Sequence, residues 1–332
     1  MPNKYMTIAG HSEGLIAKTC WKKAEEAIEK AAQSQDPVNR AILFYGGDSP
    51  ENNHSHYYKN LKDMIKSLEG KVDPENIIVM HADGLHKGVD QNISIDKENP
   101  VCINSDLSFL DQDIAILPAT RDGLERVFSM LKGSVKNSDH TFFYAFDHGG
   151  KSHLGESLTG WNEEQILDKE FARIVEGLPG YKVYALAECF SGGMAEDIKL
   201  DGKTCVIAAT TADEPSWGDG FAKAFADNVK QEGIGTHDLF MKTEEQNPYA
   251  IDQTEHPQFY GADFSVFHSR DTQVENESGS NSYAAADHEV FSTVSGSSHS
   301  DEIIDFTALE SMLSEETVSD FDDDDGDDDF LF

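Results

Sequence analysis

The chain is 332 residues long, 38% hydrophobic and 10% aromatic, enough to bury one large core with extensions or two smaller ones. A net charge of -36 argues against a nucleic-acid phosphate surface as partner, and 19 of the 62 acids fall after Arg270, in a stretch without Lys or Arg. Four cysteines with no CxxC pair, no apolar leader in the first residues and no window of membrane-span length describe a cytoplasmic protein of a reducing compartment that makes no membrane contact.

Residues 1–38 form an N-terminal helical extension, with one helix expected at about 19–33, rich in Ala, Glu and Lys. Residues 41–45 are a buried first strand, closed by Gly46 and Gly47. The spacing of Tyr57, Leu61, Met64, Ile65 and Leu68 predicts a helix that Gly70 stops. Residues 77–80 are a second strand, and 82–113 a polar surface excursion. Helices expected at about 121–131 and 163–177 each lead into an apolar run, 141–146 and 181–187. A fifth strand is expected at 206–211, a helix at 220–229 and a last strand between 259 and 267. Such alternation of strand and helix means a mainly parallel, six-stranded sheet covered on both faces, an α/β/α arrangement spanning residues 39–270.

After Arg270 the composition shifts to Ser, Asn, Gly and acids, ending in an Asp run. Residues 271–332 cannot bury enough apolar surface to offset their ordering entropy and read as an acidic, disordered tail. One amphipathic island, Ile303 to Leu313, stands in it. The tail is expected either to bind a partner, to inhibit the protein in cis, or only to keep it soluble.

Two of the apolar runs end alike, Phe146-Asp147-His148-Gly149 and Ala187-Glu188-Cys189-Phe190. Strands of an open α/β sheet deliver such residues to the carboxyl edge, where ligands bind. Successive strands ending in His and Cys set a base beside a thiol, which is a nucleophile only when its proton is taken up. The backbone N–H groups of Gly149 and Cys189 are candidate donors to a developing oxyanion. Cys102 and Cys205 read as small buried hydrophobes. No metal or organic cofactor is implied.

These segments, with 41–45, 75–80, the Ala208-to-Pro215 block and Tyr260-Gly261, resemble the legumain-type (C13) cysteine peptidases of the caspase-like clan. The resemblance implies a caspase-like three-layer α/β/α sandwich and hydrolysis of peptide bonds in protein or peptide substrates through a thioester, or transpeptidation by the same path. It makes Cys189 the nucleophile, His148 its partner and Asn53 the support of His148. It sets His56, Glu188, Ser216, Trp217 and Asp219 at or near the substrate pocket. Two departures stand out: Ser55 replaces the family's pocket Arg, and the carboxylate expected at 187 is displaced to Glu188. On a strand, that one-residue shift reverses the side chain's face. A catalytically silent module that binds partners through its pocket and tail is the alternative reading.

Overall fold

The computed structural model describes residues 6–269, apart from 87, 95–98 and 218; the tail at 271–332 lies outside the described residues. In chain order, helix α1 (Met6–Ala32) starts well before the expected residue 19 and leads into β1 (Asn39–Tyr45), α2 (Ser55–Leu68) and β2 (Ile77–His81). The polar stretch after residue 82 carries a two-residue ladder, β3 (Gln91–Asn92) with β4 (Cys102–Ile103), before β5 (Ala115–Leu117) and α3 (Arg121–Lys132). Strand β6 (His140–Ala145) is followed by β7 (Gly149–Ser152), β8 (Gly155–Gly160) and β9 (Glu164–Leu167), then α4 (Asp168–Val175). The remainder is β10 (Tyr181–Leu186), α5 (Ser191–Glu196), β11 (Thr204–Ala208), α6 (Gly220–Val229), α7 (Thr236–Gln246), α8 (Pro248–Ile251) and β12 (Gln258–Gly261).

Seven strands form the central sheet in the order β12-β11-β10-β6-β1-β2-β5, all parallel except β12 against β11. The expected mainly parallel sheet is present with one strand more than the six anticipated. The addition is β5, three residues at the sheet's edge, too short to stand out behind a polar stretch. The helix expected at 163–177 begins only at Asp168, because Asn162 and Glu163 take positive φ values of 61° and 59° and turn the next four residues into β9. The last strand is confined to four residues.

Side chains of the central strands alternate between two apolar layers. Leu43, Phe142, Tyr144, Val183 and Ala185 pack with Leu61 and Met64 of α2 and Phe221 and Phe225 of α6. Ile42, Phe44, Phe143, Tyr184 and Leu186 pack on the other face with Ala24 and Ile28 of α1, Val127 and Phe128 of α3 and Phe171 of α4. Burial on both faces explains why these strands read as unbroken apolar runs. Each such fully buried Leu or Phe is worth roughly 1.5–3 kcal/mol. A one-residue slip would exchange the two layers' whole side-chain sets, so the register of β6 against β10 is firmly fixed.

Candidate active site

The parallel register sets Leu186 beside Ala145, and the Ala187 N–H donates to the Ala145 carbonyl at 2.9 Å. Cys189 and His148 each follow three residues after that pair, so the two strands deliver them side by side at the carboxyl edge. Beyond Cys189 the chain reverses at once. Phe190 takes the left-handed conformation (φ 60°, ψ 19°), a strained state for a residue with a Cβ. Its N–H is anchored on the Glu214 carbonyl at 2.9 Å, and α5 starts at the next residue.

Gly149 packs directly on the nucleophile candidate. A Cβ at this position would overlap the Cys189 carbonyl oxygen, so only glycine fits. The Gly149 N–H faces the sulfur and favours its thiolate. From the opposite side Ser216 brackets Cys189 with its backbone: its N–H lies 3.3 Å from Sγ, and its carbonyl accepts from Sγ at 3.6 Å. Burial nonetheless pushes the Cys189 thiol up, with the charges of Glu188 and Glu255 adding to the rise and the two backbone donors opposing it.

His148 is held by its Nε2, 3.0 Å from the Asn52 carbonyl and 3.3 Å from the Tyr57 hydroxyl. A carbonyl can only accept, so Nε2 carries the proton of the neutral ring and Nδ1 the basic lone pair. Asn53 was expected to support His148. The Asn53 side chain is buried and donates instead to the Asp90 carbonyl, while the neighbouring backbone, at Asn52, orients the imidazole. Tyr57 completes the seat: its ring meets His148 at 5.3 Å between centroids, and burial keeps its phenol neutral.

A buried acid precedes each of the two functional residues. The Asp147 carboxyl accepts from its neighbour's backbone at His148 (2.6 Å) and from Gly47 at the end of β1 (2.5 Å). Burial still drives its pKa up to about 7. Glu188 is fully enclosed, neither of its carboxyl oxygens has a hydrogen-bond partner, and burial raises its pKa to about 8. It was expected to line the substrate pocket. Walled in at 0% exposure, it presents no surface to a substrate in this structure.

Of the remaining expected pocket residues, Ser216 contacts the sulfur. His56 is half-buried against Tyr57 and Phe146, with ring centroids 4.1 and 5.7 Å away, and desolvation lowers its pKa to about 3. It is therefore a neutral ring and does not restore the positive charge missing at Ser55. The Ser216 hydroxyl is spent on Glu255 Oε1 at 2.6 Å, so the backbone of Ser216, not its side chain, faces Cys189. Trp217 ties its indole N–H to the Thr254 carbonyl at 2.9 Å. Asp219 is exposed at the N-cap of α6 and makes no side-chain capping bond. Sequence reasoning missed Tyr57, which fits the apolar periodicity of α2, and the Asn52 carbonyl, which has no side-chain signature. It also missed Glu255, a loop acid distant in sequence from both motifs.

None of the four cysteines forms a disulfide. Cys205 is buried as expected, and Cys102 is partly exposed in β4. Among the described residues no group of three or more His, Cys, Asp or Glu is arranged to hold a metal ion, and no helix is long and apolar enough to cross a membrane.

No curated protein matches the chain. Among solved structures it is similar to the Drosophila initiator caspase Dronc, with 12% identity, a TM-score of 0.43 and coverage of 70% of this chain and 82% of that one. It is also similar to drICE, with 9% identity, a TM-score of 0.36 and coverage of 68% and 88%. A family model described as the Peptidase C13 family matches residues 123–319, a span that includes both His148 and Cys189. With more than half of its length matched, the chain belongs to the Peptidase C13 family of cysteine peptidases.

Proposed function

We propose that the protein is a cysteine endopeptidase acting through Cys189 and His148. The observation that carries this reading is the level ending of β6 and β10, with Gly149 packed on the Cys189 backbone and its N–H facing the sulfur. Sγ attacks the scissile carbonyl carbon, and the oxyanion is held by the N–H groups of Gly149 and Cys189. The C–N bond breaks as the thiol proton passes, through His148 Nδ1, to the leaving amine. A thioester remains on Cys189. Water then attacks it, giving its proton to His148, and the carboxyl product leaves as the thiol is restored. An amine in place of water gives transpeptidation by the same steps.

Burial holds the Cys189 thiol up, and the proton it gives up on attack passes to His148. The pocket offers no guanidinium at Ser55 and a neutral His56, while Asp219 is a surface acid beside it. Acceptance of Lys or Arg at the cleaved bond follows, since a carboxylate prefers a cationic partner. Incubating the full chain with a mixed peptide library and sequencing the products tests both statements. Cleavage after basic residues supports them, a profile dominated by Asp refutes the preference, and the absence of any cleavage refutes the activity.

A further inference from the structure

Glu255 lies in the loop between α8 and β12, 1% exposed, and no cation is paired with it; the neighbouring His256 turns to Glu214. A buried carboxylate in such a place is costly unless donors converge on it. Three do. The Ser216 hydroxyl (2.6 Å) and the Trp217 N–H (3.0 Å) reach Oε1, and the buried Asn247 amide donates to Oε2. Asn247 has no freedom to turn its oxygen that way, because Oδ1 already caps α8 by accepting from the Tyr249 N–H at 3.2 Å. Glu255 is thus an acceptor on both sides, held by three neutral donors that oppose the rise in its pKa caused by burial.

What those donors belong to gives the contact its meaning. Ser216 is the residue whose N–H and carbonyl both touch Cys189 Sγ. One carboxylate therefore fixes, through a side chain and a backbone N–H, the segment that packs against the sulfur. The two sit on different elements, and two further contacts join the same segments, Trp217 Nε1 to the Thr254 carbonyl at 2.9 Å and His256 Nδ1 to Glu214 Oε1 at 2.9 Å. We propose that Glu255 is a positioning residue for the nucleophile: it clamps Ser216 and Trp217 so that the Ser216 backbone holds Cys189 Sγ in place. The proposal rests on Cys189 being the nucleophile. The charged and polar groups that act on the sulfur include Glu188, Glu255 and the Ser216 and Gly149 N–H groups. Glu255 itself also feels Glu214.

The test uses the full chain in two variants. Glu255→Ala removes clamp and charge together. Glu255→Gln combined with Asn247→Asp exchanges the amide and the carboxylate, so each hydrogen bond keeps a donor and an acceptor while the charge moves one side chain further from Ser216. Two readouts are taken: kcat/KM on a cleaved peptide, and the pH dependence of Cys189 alkylation by iodoacetamide, followed by mass spectrometry of the Cys189 peptide. Glu255→Ala is expected to lose about 10–100-fold in kcat/KM, the scale of a small misplacement of a reacting group. The exchanged pair is expected to restore most of that rate and to shift the alkylation profile toward lower pH. A folded Glu255→Ala protein with wild-type rate overturns the clamp. If that variant does not fold, an exchanged pair that folds but loses about 10-fold or more in kcat/KM overturns the proposal. A shifted profile in a protein that cleaves no peptide supports the placement of Glu255 and refutes the peptidase reading, which keeps the two apart.

Discussion

The ends of β6 and β10 are built on one plan and differ in one contact. Each places a buried carboxyl immediately before its functional residue, Asp147 before His148 and Glu188 before Cys189. Each follows with a turn that lets the backbone approach closely. Asp147 spends both oxygens on backbone donors, one of them Gly47 just past the end of β1, and so ties the histidine's turn to the neighbouring strand's turn. Glu188 spends neither. Two acids of the same class and the same depth therefore have opposite parts. The first is a structural brace, and the second is a neutral, protonated filler beside a thiol. Burial sets their shared raised pKa; hydrogen bonding decides which of them matters to the fold.

The largest effect expected from breaking this comparison falls on the imidazole itself. His148→Ala is predicted to lower peptide cleavage by about 10²–10⁴-fold, the usual worth of general acid–base catalysis, while the melting curve stays close to wild type. Replacing the two acids comes next and separates their parts. Asp147→Asn leaves one backbone N–H facing an amide donor, so a loss of about 1–3 kcal/mol in unfolding free energy is expected from denaturant titration. Glu188→Gln removes no partner and should leave stability within the measurement's scatter at about pH 4, where the wild-type carboxyl is largely protonated folded and unfolded alike. Equal losses from both substitutions would end the distinction.

A pH series sharpens the same point. Both acids hold their protons more tightly folded than unfolded, Glu188 with a pKa of about 8 and Asp147 of about 7. The unfolded chain has lost those protons from about pH 4 upward. Folding therefore takes up protons in the interval, and the stability contributed by Glu188 is complete below its unfolded pKa and lost as pH rises toward 8. The wild type is expected to weaken between about pH 5 and 8, and Glu188→Gln to flatten that slope in urea melts taken at each pH. The smallest effect belongs to Tyr57→Phe. Losing its 3.3 Å contact with His148 Nε2 leaves the Asn52 carbonyl in place, so kcat should fall by roughly 2–10-fold, the value of one modest hydrogen bond.

The two strand ends were legible in the sequence because apolar runs on doubly covered strands leave an unmistakable pattern, and the catalytic types stand where the runs stop. The rest was hidden for physical reasons. β5 is short and lies on the sheet's edge, so its three residues carry no pattern of their own. The hairpin strands β7 to β9 are built around glycines and polar residues, and β9 resembled the first turn of a helix until two positive φ values broke it. At the site, the group beside His148 Nε2 is the Asn52 carbonyl, which any residue would supply. Glu188 was visible as an acid beside the nucleophile, but only three-dimensional packing shows that it is enclosed and unpartnered.

The central claim is that Cys189 forms the acyl bond. Treating the full chain with an acyloxymethyl ketone peptide, then mapping the adduct by mass spectrometry beside a Cys189→Ala control, tests it most directly. The account predicts a single adduct on Cys189, no adduct on the buried Cys205, and loss of both labelling and peptide cleavage in the variant. An adduct on another cysteine, or cleavage undiminished in Cys189→Ala, would contradict it.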